Sequence, residues 1–192
     1  MQNLRVRRLP KQKRIIFCRN SMHPLLQKMC VATYTVDDLH RRLGLLQVSL
    51  EEVLYHTDAH NTLSRKELCL ASIATTASHD DVLAMSLWDT EVFETCTVEN
   101  ITATMVRLKK DIELLPRFEL YVPTLFDAQG FALIGEWVRT NIHAQSLLDI
   151  RIDPSVIGGC AFVHNSAYHN YNFSYFQKVH KGEITKLLSS YV

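Results

Sequence analysis

Residues 147–165, LLDIRIDPSVIGGCAFVHN, decide how the second half of this chain folds. Leu148, Ile150 and Ile152 alternate with Asp149, Arg151 and Asp153, the period of a half-buried strand. Asp153-Pro154-Ser155 then turns the chain, and residues 160–164 resume as a strand. Between them stand Gly158 and Gly159, two of only six glycines in the sequence. A phosphate-cradling loop would need Gly-x-Gly-x-x-Gly or Gly-Lys-Ser/Thr and a following helix N-terminus, and here a strand follows. The pair is therefore predicted to be architectural: a hairpin whose glycines supply positive φ or a close backbone approach. Cys160 lacks the helix start or adjoining cations that would activate a thiol, so it is predicted to be a small strand residue.

Upstream, Phe118, Leu120 and Val122 alternate with Glu119 and Tyr121, a strand closed by Pro123. Asp127 is placed to cap a helix with Phe131, Ile134, Val138 and Ile142 on its inner face and Leu133 and Trp137 flanking it. Downstream, Phe176, Val179, Ile184, Leu187 and Tyr191 predict one closing amphipathic helix. Residues 117–192 thus predict a small α/β C-terminal domain in the order strand–helix–strand–strand–helix.

The first half has the helical period. Val36, Leu39, Leu43, Leu46, Leu50 and Val53 form one stripe, with Thr35 and Asp38 as a capping pair. Further capped starts are Ser64 with Glu67 and Ser78 with Asp81. A long helix follows Thr97, its stripe Val98, Ile101, Met105, Leu108, Ile112 and Leu115, stopped by Pro116. The expected organisation is a basic, partly disordered arm (1–34), a reduced helical domain (35–97), a connecting helix (98–116) and the C-terminal domain, an α+β fold.

Composition narrows the class. No run of 18 apolar residues exists, so no spanning helix is predicted. Five scattered cysteines without Cys-x-x-Cys spacing argue against a disulfide framework and for a reducing compartment. Residues 1–36 carry eight basic and no acidic side chains, whereas the other 156 carry 13 basic and 20 acidic, a net −7. A basic arm on an acidic body invites an anionic partner, lipid or nucleic acid, and an Arg-rich, acid-free start also fits an organelle transit peptide. Among chemical groups, His56 and His60 have metal-ligand spacing on a helix, and His79-Asp80 could join a phosphohydrolase site, but no carboxylate cluster completes either.

The segment IDPSVIGGCAFV resembles the signature of the delta subunit of F-type ATP synthases, the family of the mitochondrial oligomycin-sensitivity-conferring protein. Asp153, Pro154, Ser155, Ile157, Gly158 and Gly159 match it in order. Tyr171-Asn172-Phe173-Ser174 stands where the family has Tyr-Asp-x-Ser, with Asn172 replacing Asp, and Phe162-Val163-His164 stands where its third strand usually carries an Arg. FELYVPTLFDAQGFALIGEWVRTNI is similar to the preceding strand and helix, including the run Glu136-Trp137-Val138-Arg139 of short bacterial members. Family members usually begin with a six-helix bundle of about a hundred residues.

The resemblance implies a non-catalytic stator subunit, without cofactor, metal or small-molecule substrate. Its helical domain would hold the catalytic head, with Leu39, Leu43, Leu46 and Leu50 as candidate head-binding residues. Its C-terminal domain would dock peripheral-stalk helices through Phe176, Val179, Ile184, Leu187 and Leu188. The location implied is peripheral on the cytoplasmic face of the inner (plasma) membrane, or the mitochondrial matrix side. The alternative from another class is a basic-armed nucleic-acid-binding module, against which stand the acidic body and an arm with only Phe17 and Tyr34 as aromatics.

Overall fold

The computed structural model describes residues 23–56, 62–164 and 167–190. Its first half is helical: α1 (Pro24–Met29), a 3₁₀ turn (Cys30–Ala32), α2 (Val36–His56), α3 (Arg65–Ala74), α4 (His79–Ser86), α5 (Thr90–Glu94) and α6 (Ile101–Glu113). The caps form as the sequence predicts. Thr35 Oγ1 accepts from Asp38 N at 3.0 Å, Ser64 and Glu67 form a reciprocal capping box, and Ser78 Oγ accepts from Asp81 N. The last helix starts later than expected, at Ile101, because Asn100 Oδ1 accepts from Thr97 N and holds residues 97–100 in a turn, leaving Val98 exposed.

The stripe of α2 packs against α3 and α6, and Leu39, Leu43, Leu46 and Leu50 are 0–1% exposed. Each buried leucine contributes about 2 kcal/mol of transfer free energy. Ile101, Met105, Leu108 and Ile112 of α6 belong to the same core, so the connecting helix is a full member of the bundle. So is α1, which lies inside the stretch predicted to be a basic arm. His23 Nδ1 accepts from Leu25 N, Pro24 opens the helix, and Leu25, Leu26 and Met29 are buried. Six residues are too short a window for periodicity to show against the surrounding positive charge. Residues 1–22 of that arm lie outside the described residues.

Two polar arrangements join these short helices. Asp81, its side chain 3% exposed, accepts from Arg41 and Arg42 of α2 and from Ser78, while Arg42 also donates to Ala32 O and Thr33 Oγ1. Lys66 in the first turn of α3 donates to Ser86 O and Trp88 O, and its neighbour Arg65 donates to Glu94 O and Cys96 O. Both thereby satisfy carbonyls left open at the ends of α4 and α5.

The second half follows as β1 (Arg117–Val122), α7 (Ala128–Asn141), β2 (Leu147–Ile152), β3 (Ala161–His164), β4 (Ala167–Asn170), α8 (Phe173–Val179) and α9 (Lys181–Ser189). The molecule is therefore α+β. β1 and β2 pair in parallel, Phe118 opposite Leu148, which requires the α7 crossover between them. Asp127 caps α7 through Gly130 N, and Val138, with half-buried Ile134 and Ile142, covers Phe118, Leu120, Val122 and Leu148. Leu133 and Trp137 face outward.

The strand order β2-β1-β3-β4 corrects the predicted hairpin at the glycines. β3 does not pair with β2. It lies antiparallel on the other side of β1, with Leu120 opposite Phe162, so residues 153–160 carry the chain across the end of β1. The hairpin is the next one, β3 with β4, which the sequence reading missed because Ala-Tyr-His-Asn shows no apolar alternation.

Candidate functional site

Residues 153–159 form a clasp between the sheet and the two terminal helices. Asp153 N donates to Val122 O at 2.9 Å, continuing from the end of β1, and Asp153 Oδ1 accepts from Ser155 N at 2.9 Å in an Asx turn; the Ser155 hydroxyl first and this N–H second hold the Asp153 carboxyl below the usual carboxylate range. Val156 N donates back to Asp153 O, and Val156 is buried, whereas Ile157 is exposed. Gly158 and Gly159 then take φ of +66° and +79°, the left-handed region expected for the pair. A Cβ on Gly159 would stand 2.3 Å from Tyr171 O, whereas one on Gly158 would meet only Phe173 Cβ, at 3.6 Å. Gly159 is thus fixed twice, by conformation and by close approach.

That approach places the start of α8. Phe173 N donates to the carbonyls of Ile157 and Gly158, at 3.0 and 3.1 Å, and Tyr171 N donates to Cys160 O. Asn172, buried beside the clasp, accepts from Tyr175 N at 2.6 Å as the cap of α8, and from Ser174 Oγ at 2.9 Å. A capping acceptor is what this position requires, and the Asn172 amide supplies it without a buried charge. Its capping role was open to the rule that Asn precedes a helix start.

What the clasp presents is α8, with little beneath it. No side chain of α8 is buried, and Phe173, Phe176 and Val179 are each more than half exposed, beside exposed Tyr171 and Tyr175. Tyr171, Asn172, Tyr175, Phe176 and Val179 line a shallow groove of about 210 Å³. The predicted single closing helix is broken at His180, whose φ of −102° and ψ of 16° end α8. Its carbonyl accepts from Glu183 N and Ile184 N, and its Nδ1 lies 3.1 Å from Glu183 Oε2, so His180 starts α9 as a cap. Ile184 is half-buried, while the side chains of Leu187 and Leu188, and Tyr191, lie outside the described residues. These exposed aromatic and aliphatic side chains form the outward apolar face of α8.

The candidate head-binding residues are corrected by their surroundings. Leu39, Leu43, Leu46 and Leu50 fill the bundle's own core and are out of reach of a partner while it stays folded. The chemical candidates do not converge either. His56 ends α2 and His79 opens α4, while His60 lies outside the described residues. Among the described residues no group of three His, Cys, Asp or Glu side chains is arranged to hold a metal ion. Burial raises the thiols of Cys30 and Cys69 to about 11 and shifts Cys96 and Cys160 upward too, the opposite of nucleophile activation. Among the described residues no helix is long and apolar enough to cross a membrane.

Fold and site together define an α+β protein with a helical first half and a second half whose clasp holds the exposed helix α8. No protein-family model and no curated protein matches the chain.

Proposed function

We propose that this chain is a stator subunit of a rotary, proton-translocating F-type ATP synthase, of the delta and oligomycin-sensitivity-conferring kind. In that role it links the catalytic head to the peripheral stalk, peripheral to the membrane, and carries no catalytic group of its own. The observation that carries the reading is the clasp. The six signature residues are those that make the Asx turn, the two left-handed glycines and the docking of residues 171–173, so the resemblance falls on positions with a physical task. The element order supports it as well: among the described residues six α-helices lie within 24–113, then the sheet and two terminal helices follow, in the family's sequence of domains.

The uncovered face of α8, with Phe176 and Val179 outward, suits a stalk helix read at i, i+3, i+4 spacing. Since Leu39, Leu43, Leu46 and Leu50 are internal, the head would be gripped by outward residues of the bundle, such as Val48 and Tyr55 of α2, which are exposed and seven apart. The nucleic-acid alternative rests on residues 1–36, of which 1–22 lie outside the described residues, and Lys28 is already engaged by Asp89 and Glu91. The test is company. A tagged chain purified from detergent-solubilised membranes of its own source should bring down head and stalk subunits. A complete synthase isolated without this chain would refute the role.

A further inference from the structure

We propose that residues 33–35 form a releasable strap that sets the angle between the helical bundle and the α/β unit. The two units have separate cores, one built around α2 and α6, the other around β1 and α7, with Leu147 of β2 reaching into the first. Across that division the strap runs along the outer edge of β2. Thr35 makes a parallel bridge with Leu148, and Leu148 N donates to Tyr34 O at 2.8 Å. The Tyr34 ring lies on α7 where Gly135 leaves room for it. A Cβ at 135 would come within 2.5–2.7 Å of the Cδ1, Cβ and Cγ atoms of Tyr34. One turn further, the Arg139 guanidinium sits 4.7 Å from the centre of the same ring. Arg139 Nη1 donates to Cys30 O at 2.7 Å, Nη2 to Thr33 O at 2.5 Å and Nε to Ser146 O at 3.3 Å. Tyr34 Oη donates to Glu136 at 3.1 Å, closing the strap over the helix.

The bonds that cross to the α/β unit are few, one backbone bond to Leu148, two from Arg139 and one from the exposed Tyr34 hydroxyl, although Thr33 and Thr35 are themselves buried, whereas β2 is held independently by six residues of pairing with β1. The strap can therefore lift while both cores stay intact, which is local opening below the free energy of global unfolding. With it lifted, what joins the bundle to the α/β unit is the α6–β1 connection, the Leu147 contact and the single Arg139 bond to Cys30 O, and the two units can change angle about them.

Amide hydrogen exchange of the full chain separates this from a rigid joint, because adjacent amides report on different partners. Leu148 N bonds the strap, whereas Leu147 N bonds Pro116 O at 3.0 Å. In the wild type Leu148 should exchange faster than Leu147. Gly135→Ala leaves α7 a better helix but displaces Tyr34. It should speed Leu148 exchange about ten-fold or more, the equivalent of one lost hydrogen bond, with Leu147 and the α2 amides unchanged. Arg139→Lys, which keeps the charge but cannot reach three carbonyls, should give the same pattern and serves if the alanine variant fails to fold. Equal protection of Leu147 and Leu148 in the wild type would overturn the proposal. So would acceleration of Leu147, Leu148 and α2 together, or of none of them, in the variants.

Discussion

Gly158 and Gly159 share a conformation but not an environment, and this difference yields the first prediction. Gly158→Ala meets open space at φ +66° and should cost about 1 kcal/mol, the ordinary strain of a left-handed alanine. Gly159→Ala adds a Cβ that collides with Tyr171 O, so the start of α8 must move and the cost should be about 3 kcal/mol or more. In a chain of this size about 3 kcal/mol is a fall of roughly 6–12 °C in Tm, read by differential scanning calorimetry. Equal shifts for the two variants would remove the close approach from the account. Asp81 gives a second prediction. Burial pushes its carboxyl up, but bonds from Arg41, Arg42 and Ser78 prevail and hold it at about 2, below its ordinary 3.8. Its contribution, about 2 kcal/mol, is therefore whole above about pH 4 and disappears as the pH falls through about 2. Asp81→Asn should lower stability at pH 7 by about 3 kcal/mol, since buried Arg42 loses its counter-charge, and should flatten the acid limb of a urea-midpoint profile. At this scale the sequence was legible where chemistry is local. Ser78 with Asp81 read as a cap and the glycines as left-handed, but the same Asp81 as a partner of Arg41 and Arg42 was not, because forty residues of chain separate them.

Helices announced themselves by caps and stripes, and strands by alternation, wherever an element had both a boundary signal and a single buried face. β4 had neither: its His169 stacks on Phe162 and its Tyr168 faces solvent. The pairing of β3 was hidden for another reason. Asp-Pro-Ser followed by two glycines specifies a chain reversal, and the reversal alone leaves open which neighbour the next strand takes. The break between α8 and α9 was hidden because Phe176, Val179 and Ile184 keep helical spacing through it, while the His180 cap and the weak helix former Gly182 divide the segment. At this scale Asn172→Ala should cost about 1 kcal/mol, confined to α8, with faster exchange of the Tyr175 amide and an unchanged α7. Loss of protection throughout the sheet would mean that the cap holds more than its own helix.

On the scale of the whole molecule, the α+β class and the order of helical and sheet-bearing halves were readable from the change of period at Pro116. The docking of one half on the other was not, since it depends on Tyr34 meeting Gly135 and Arg139 a hundred residues away. The stator account assigns the two ends of the molecule to different partners, which makes the ends separable. The described side chains of α9 are exposed apart from half-buried Ile184, so a chain lacking residues 183–192 should fold with a Tm within about 2 °C of the full chain. It should still bind the head and lose the stalk. The central claim is mechanical coupling, and it is tested most directly by ATP-driven proton pumping in membrane vesicles of the native source stripped of this chain. The account predicts that stripped vesicles hydrolyse ATP without acidifying, that the full chain restores pumping, and that the chain lacking residues 183–192 does not. Pumping that is undiminished in vesicles free of the chain would contradict it.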